Sequence, residues 1–308
     1  MSPTEIPKPE NWPGHQGNWG RWPNDAGTLN LVTEEVSLRA AALVEMGEVI
    51  SCSRPVTDRE PIRGNLCFEQ EMLAAGTWDL EPQRTESLNA SEKISYRTHG
   101  MVNTHLDALA HIGHNGKGFN GKEFKDMVSM EEGVKSGSIA NARSIVTRGV
   151  FVDIPRARGH EYLEPGDFVR PEEIEAAADQ FESGDAAIIR TGATLAPGRP
   201  PQSDEENRHG YWQGLHPECV EVLAALDISV LASDSPADVF PSPYGHIVRS
   251  PVHTLTLTYY GIHLLHNMDL ELLGDRCETL GRNHFLFIVA PLFLPNATGS
   301  LVNPLAIL

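Results

Sequence analysis

His99-Gly-Met-Val-Asn-Thr-His105-Leu-Asp107-Ala-Leu-Ala-His111-Ile-Gly-His114 concentrates four of the chain's 13 histidines and one aspartate in a single run. His105 and Asp107 stand two positions apart, so on an extended segment both side chains leave the same face. An imidazole nitrogen beside a carboxylate oxygen makes a pocket of borderline hardness, suited to one Zn2+ or Mn2+ ion. His111 follows Asp107 by four positions and returns to the same place through a turn or the start of a helix. It stands either as a third ligand or as a general base beside an activated water. The small residues Ala108, Ala110 and Gly113 let backbone come close to such a site. Read singly, His99, His114 and the later His246 are polar loop residues that cap backbone groups.

Two ligands leave a divalent ion short, because catalytic sites take three protein ligands plus water. The run from Pro251 to Asp269 offers His253 and His266 as the missing metal ligands. Asp238 follows an apolar run and either orients a ligand histidine or caps a turn. No Gly-x-Ser-x-Gly nucleophile turn occurs. Gly116-Lys-Gly118-Phe-Asn-Gly121 has phosphate-loop spacing, but no apolar strand leads into it, so it reads as a flexible loop. Trp22, Tyr211 and Trp212 are candidates for an apolar wall that binds a ring-bearing substrate.

Outward from this core, residues 149–153, 186–190, 228–232 and 285–289 are short aliphatic or aromatic runs that predict buried strands. Helices are predicted over 34–44, with Thr33 as N-cap, over 170–178 and over 216–226. Residues 197–210, rich in proline and charge, predict a surface loop. Strands interleaved with helices give one mixed α/β domain over 24–308. An N-terminal arm, 1–23, precedes it; its Trp12, Trp19 and Trp22 need something to pack on, the chain's own core or a neighbouring subunit.

The 308 residues are 40% hydrophobic and 21% charged, enough to bury one large core. A formal net charge of −18 repels phosphate backbones and anionic membranes, which argues against both as partners and leaves a small-molecule substrate. Cys52, Cys67, Cys219 and Cys277 are scattered and read as reduced, buried residues. The N-terminus lacks the basic and apolar blocks of a secretory signal, and no apolar run spans a bilayer, so the expected location is cytoplasmic.

Asn103-Thr-His105-Leu-Asp107-Ala-Leu-Ala-His111 resembles the signature of the cyclase family, metal-dependent enzymes that include kynurenine formamidases and isatin hydrolases. The likeness continues through 20–30, 184–192, the region of Pro217 and 298–304. It implies a swivelling β/β/α fold, a mixed sheet or open barrel flanked by helices, assembled as a homodimer or homotetramer. It also implies His105 and Asp107 as metal ligands and His111 as the acid/base residue. His253 matches a later family histidine, while His266 stands at a position that is acidic in the family. Met101 occupies the place of the family's first histidine and is a poor ligand for a hard ion, so the resemblance implies one metal ion rather than two. The implied reaction is hydrolysis of an amide, lactam or ester of a small ring-bearing substrate. Lyase or cyclase chemistry through a stabilised enolate is the alternative.

Overall fold

Neighbouring residues of the central strands belong to different cores. Ile188, Ala232 and Leu265 pack in one cluster, and Ile189, Leu231 and Leu264 in another. Successive side chains of a strand leave opposite faces, so a sheet that is apolar at consecutive positions is buried on both. The computed structural model describes residues 13–58, 66–75, 89–196 and 211–308. Trp12 and the expected 197–210 loop lie outside these residues.

The strands in chain order are β1 (Val49–Ser51), β2 (Phe68–Ala75), β3 (Ala90–Tyr96), β4 (His105–Asp107), β5 (Val128–Ser129), β6 (Gly133–Val134), β7 (Ile145–Asp153) and β8 (Phe168–Val169). They continue with β9 (Ala186–Arg190), β10 (Gly214–Leu215), β11 (Val230–Ser233), β12 (His263–His266), β13 (His284–Val289), β14 (Gly299–Leu301) and β15 (Leu305–Ile307). Nine form one open sheet in the order β1-β15-β13-β7-β9-β11-β12-β4-β14. The centre, β7-β9-β11-β12, is parallel, and both flanks are antiparallel. This is the mixed α/β sheet with helices that the sequence predicts. Parallel neighbours need crossovers, and here helices supply them: Pro171–Glu175 between β7 and β9, Cys219–Ala225 between β9 and β11.

The expected strand 186–190 is β9; β7 begins four residues before the expected 149–153, and β13 one residue before 285–289. Each helix is shorter than its apolar spacing suggests. Glu34–Ala41 starts where expected, with Thr33 Oγ1 accepting from Val36 N–H, but ends before Val44. Pro171–Glu175 is closed at its start by Glu173, which accepts from Arg170 N–H at 2.7 Å.

Residues 13–23 pack on their own chain. Trp19 Nε1 donates to the Thr258 carbonyl at 2.6 Å and its ring stacks on Tyr259, with centroids 5.3 Å apart. Asn18 N–H reaches the Tyr259 carbonyl, and Arg21 pairs with Asp227. The Gly116–Gly121 run has no leading strand, and its second half, Phe119–Gly121, is a 3-10 turn rather than the expected loop. It is anchored by Phe119, which is buried in the core.

Candidate metal centre

β4 has three residues but lies inside the sheet, between β12 and β14. Its register places His105 opposite His266 and Asp107 opposite Leu264 and Gly299. His105 and Asp107 therefore share a face, and His266 joins them from the next strand. Asp107 is fully buried. Its Oδ1 lies 2.7 Å from His99 Nδ1 and 3.4 Å from His105 Nε2. Its Oδ2 lies 2.9 Å from His266 Nε2 and 3.5 Å from His253 Nε2. Four imidazoles converge on one carboxylate.

Most of these rings are held from behind. His105 Nδ1 faces the Asn103 carbonyl at 2.8 Å. Asn267 fixes that turn by donating to the Gly100 and Asn103 carbonyls, and Thr104 Oγ1 donates to the Asn267 carbonyl. His253 Nδ1 lies 2.5 Å from Asp238, whose other oxygen accepts from Val252 N–H at 2.7 Å. Asp238 thus does both jobs the sequence leaves open, orienting a histidine and capping the turn that begins Pro251–His253. Asp234, in the same loop, is fully buried and accepts from Thr191, Gly192 and Ala193, tying the end of β11 to the end of β9. His99 Nε2 lies 2.7 Å from Thr298 Oγ1. A Cβ at Gly299 would lie 2.7 Å from the Leu106 carbonyl oxygen and 2.9 Å from His99 Cε1, so glycine makes room for that ring.

The protonation states follow from the partners. A carbonyl only accepts, so His105 carries its proton on Nδ1. Burial pushes the His105 pKa down to about 3, which leaves the ring neutral and its Nε2 lone pair aimed at Asp107. Burial also pushes His111 down to about 3 and lowers His266. At Asp107 burial acts upward, but the imidazoles of His111, His266 and His105 hold the carboxyl well below the usual range. At His253 burial acts downward and is outweighed by the hydrogen bond and charge of Asp238, so its pKa is raised. Its Nδ1–H donates to Asp238, which turns Nε2 toward Asp107.

The Nε2 lone pairs of His105 and His253 face an ionised, fully buried carboxylate and are repelled by it unless a cation stands among them. Two groups of donors meet that need, His99–His105–Asp107 and Asp107–His253–His266, and within each the ligating atoms lie within 4.8 Å of one another. His266 Nδ1 is buried without a hydrogen-bond partner, so the hydrogen-bond network leaves the tautomer of this ring to whatever Nε2 meets. Nitrogen and carboxylate oxygen in threes fit a divalent ion of borderline hardness.

The fold brings His105, Asp107, His253 and His266 together. His111 belongs to neither donor group; its ring stacks on His99, centroids 3.5 Å apart and planes 7° apart. His99 corrects the reading of it as a loop cap: it stands 2.7 Å from Asp107, while Met101, at the family's histidine position, lines the cavity. The available signal was a histidine six positions before His105, where the family pattern looks four before. His114 instead meets the Tyr259 hydroxyl at 2.9 Å, and His246 is exposed.

A cavity of about 430 Å³ opens onto the cluster, lined by His99, His105, His111, His253 and His266. Trp212 lines it with Val239 and Phe240. Trp22 and Tyr211 do not, which corrects their assignment as substrate wall. Trp22 packs against the core that holds Leu264, under the Arg21 guanidinium, and the Tyr211 ring lies over Gly166. Their neighbours in sequence gave no sign of which aromatic faces the site. All four cysteines are buried, and none is in a disulfide. No helix among the described residues is long and apolar enough to cross a membrane.

The profile of the Cyclase family matches residues 35–237, and this chain belongs to that family. A crystal structure described as a novel cyclase is 25% identical, with TM-score 0.82, covering 96% of this chain and 100% of its own. Isatin hydrolase A from Labrenzia aggregata, bound to benzyl benzoate, is 20% identical with TM-score 0.56, covering 89% of this chain and 97% of its own. An isatin hydrolase bound to the product analogue thioisatinate is 17% identical with TM-score 0.54, covering 90% and 99%. At these identities the two hydrolases share the fold. No curated protein matches the sequence.

Proposed function

We propose that this protein is a metal-dependent hydrolase that cleaves an amide, lactam or ester bond in a small ring-bearing molecule. The observation that carries the reading is the set of imidazole nitrogens converging on the buried Asp107. Those residues, His99, His105, Asp107, His253 and His266, would hold a divalent ion, Mn2+ or Zn2+. Such an ion, when bound, supplies Lewis acidity to a carbonyl and a water of lowered pKa. His111 stays neutral near pH 7 and lines the cavity beside the cluster, placed to take a proton from water and return it to the leaving group. Trp212, Val239 and Phe240 give the ring an apolar wall and exclude water from that side. The volume suits one small molecule. Two proteins of the same fold named isatin hydrolases support the choice of hydrolysis.

The test is turnover of a panel of cyclic amides and aryl esters in ¹⁸O-labelled water, before and after exhaustive chelation. The expected result is label in the product acid, loss of turnover on chelation and recovery with Mn2+ or Zn2+. Full activity in metal-free protein, or product without label, overturns the reading.

A further inference from the structure

The short helix Pro251–His253 runs on without a break as a π-helix, Thr254–Tyr260, in which Gly261 N–H donates to the Thr256 carbonyl five residues back. A helix leaves the carbonyls of its last turn without donors of its own, and groups away from water need them from elsewhere. Here the N-terminal segment serves four in a row. The Thr258 carbonyl accepts from Trp19 Nε1 at 2.6 Å, and that of Tyr259 from Asn18 N–H at 2.9 Å. The Tyr260 carbonyl accepts from Asn18 Nδ2 at 2.9 Å, and that of Gly261 from Thr28 N–H at 2.9 Å and Thr28 Oγ1 at 3.1 Å. Gly27 passes so close that a Cβ there would run into the Gly261 carbonyl.

Thr258 and Tyr259, both buried, reach the other way with their side chains. Thr258 Oγ1 donates to the Ile112 carbonyl at 3.0 Å, and the Tyr259 hydroxyl meets His114 Nδ1 at 2.9 Å. Ile112 directly follows His111, which ends the three-residue 3-10 helix Leu109–His111, a piece too short to fix its own position. Among the described residues the His111 ring makes no hydrogen bond, only the stack on His99 and an edge contact with His253. The anchoring of its backbone therefore decides where the ring stands. His253, by contrast, is held by Asp238 at the far end of the same helix.

We propose that Asn18, Trp19 and Thr258 are positioning residues for His111: the N-terminal segment fixes the end of the π-helix, and Thr258 and Tyr259 carry that hold to the loop that presents His111 to the cavity. That a displaced His111 slows turnover rests on the hydrolase reading above; the linkage between segment and loop does not.

Thr258→Val removes the hydroxyl at nearly constant volume, Thr258→Ser keeps it, and Trp19→Phe keeps a ring on Tyr259 but loses the Nε1 donor. Three measurements on each variant test the proposal: turnover of phenyl acetate and phthalimide by Mn2+-loaded protein, Mn2+ affinity by calorimetry, and amide hydrogen exchange by mass spectrometry. Thr258→Val and Trp19→Phe speed exchange over 109–114 about tenfold or more. They lower kcat about tenfold to hundredfold, the loss that a misplacement of about 1 Å brings, with KM and Mn2+ affinity within about twofold of native. Thr258→Ser keeps the native kcat. The double variant loses less than the product of the two single losses, because both act through one chain of contacts. Native exchange over 109–114 in both variants overturns the linkage. Faster exchange with native kcat overturns the positioning of His111, as does a fall in Mn2+ affinity in step with kcat or a loss that Thr258→Ser shares. Faster exchange in a protein that turns over neither substrate supports the linkage and counts against the hydrolase reading alone.

Discussion

Asp238→Asn removes one oxygen from a carboxylate that serves three donors: Val252 N–H at 2.7 Å, His253 N–H at 3.3 Å and His253 Nδ1 at 2.5 Å. The asparagine carbonyl satisfies either the ring or the backbone turn, and its amide then points donor to donor at the other. His253 loses the partner that keeps its proton on Nδ1 and its Nε2 toward Asp107. Loss of such an orienting partner weakens metal affinity about ten- to hundredfold, roughly 1.4 to 2.7 kcal/mol. The pH dependence shifts as well. Asp238 raises the His253 pKa, so in the native protein protons compete for this ligand up to a higher pH, and affinity falls as pH drops through that raised value. In Asp238→Asn the fall begins at lower pH. Calorimetric titration of metal-free protein with Mn2+ or Zn2+ at several pH values reads both effects. Native-like affinity with an unchanged pH profile would refute the argument that Asp238 orients a ligand.

His111→Ala should keep the metal, measured by elemental analysis, while turnover falls by about two to four orders of magnitude; equal loss of metal would make it a ligand instead. His263 is fully buried with neither ring nitrogen hydrogen-bonded, so His263→Leu should raise stability to urea by about 1 to 3 kcal/mol. Burial holds the His263 pKa down at about 4, so below 6.5 the unfolded chain takes up a proton that the folded one refuses. Native stability therefore falls by about 1.4 kcal/mol per pH unit from this residue, and the leucine variant should lack that slope. Burial pushes the Cys52 thiol up to about 12, so iodoacetamide at pH 8 should label it in urea and leave it unlabelled in the folded protein, read by peptide mass spectrometry. Trp19→Ala removes a half-buried ring stacked on Tyr259 and its bond to Thr258, and should cost about 2 to 3 kcal/mol in urea unfolding, less than a fully buried tryptophan. A change under half that value would mean the segment is not fastened through this ring.

The strands β7, β9, β11 and β13 were legible because each contains a short apolar run, which a doubly covered sheet requires. β12 and β14 were not: three or four residues of histidine, leucine, glycine and serine carry no pattern of their own and become strands only by pairing, β12 with β11 and β4 and β14 with β4. Trp22 and Trp212 look alike as sequence, yet one packs in a core and the other lines the cavity. Such choices depend on where distant backbone lies.

The sequence by itself determined that His105 and Asp107 stand side by side, because an extended chain repeats every two residues. Tertiary structure alone decided which other histidines meet them. His266 reaches Asp107 only through the register of β12 on β4, where a slip of one residue would turn it to the opposite face. His99 reaches it only because Gly299, 200 positions away, leaves room for the ring beside Thr298. A local period fixes a local pair; convergence of remote side chains is a property of how strands register and how closely backbones pass.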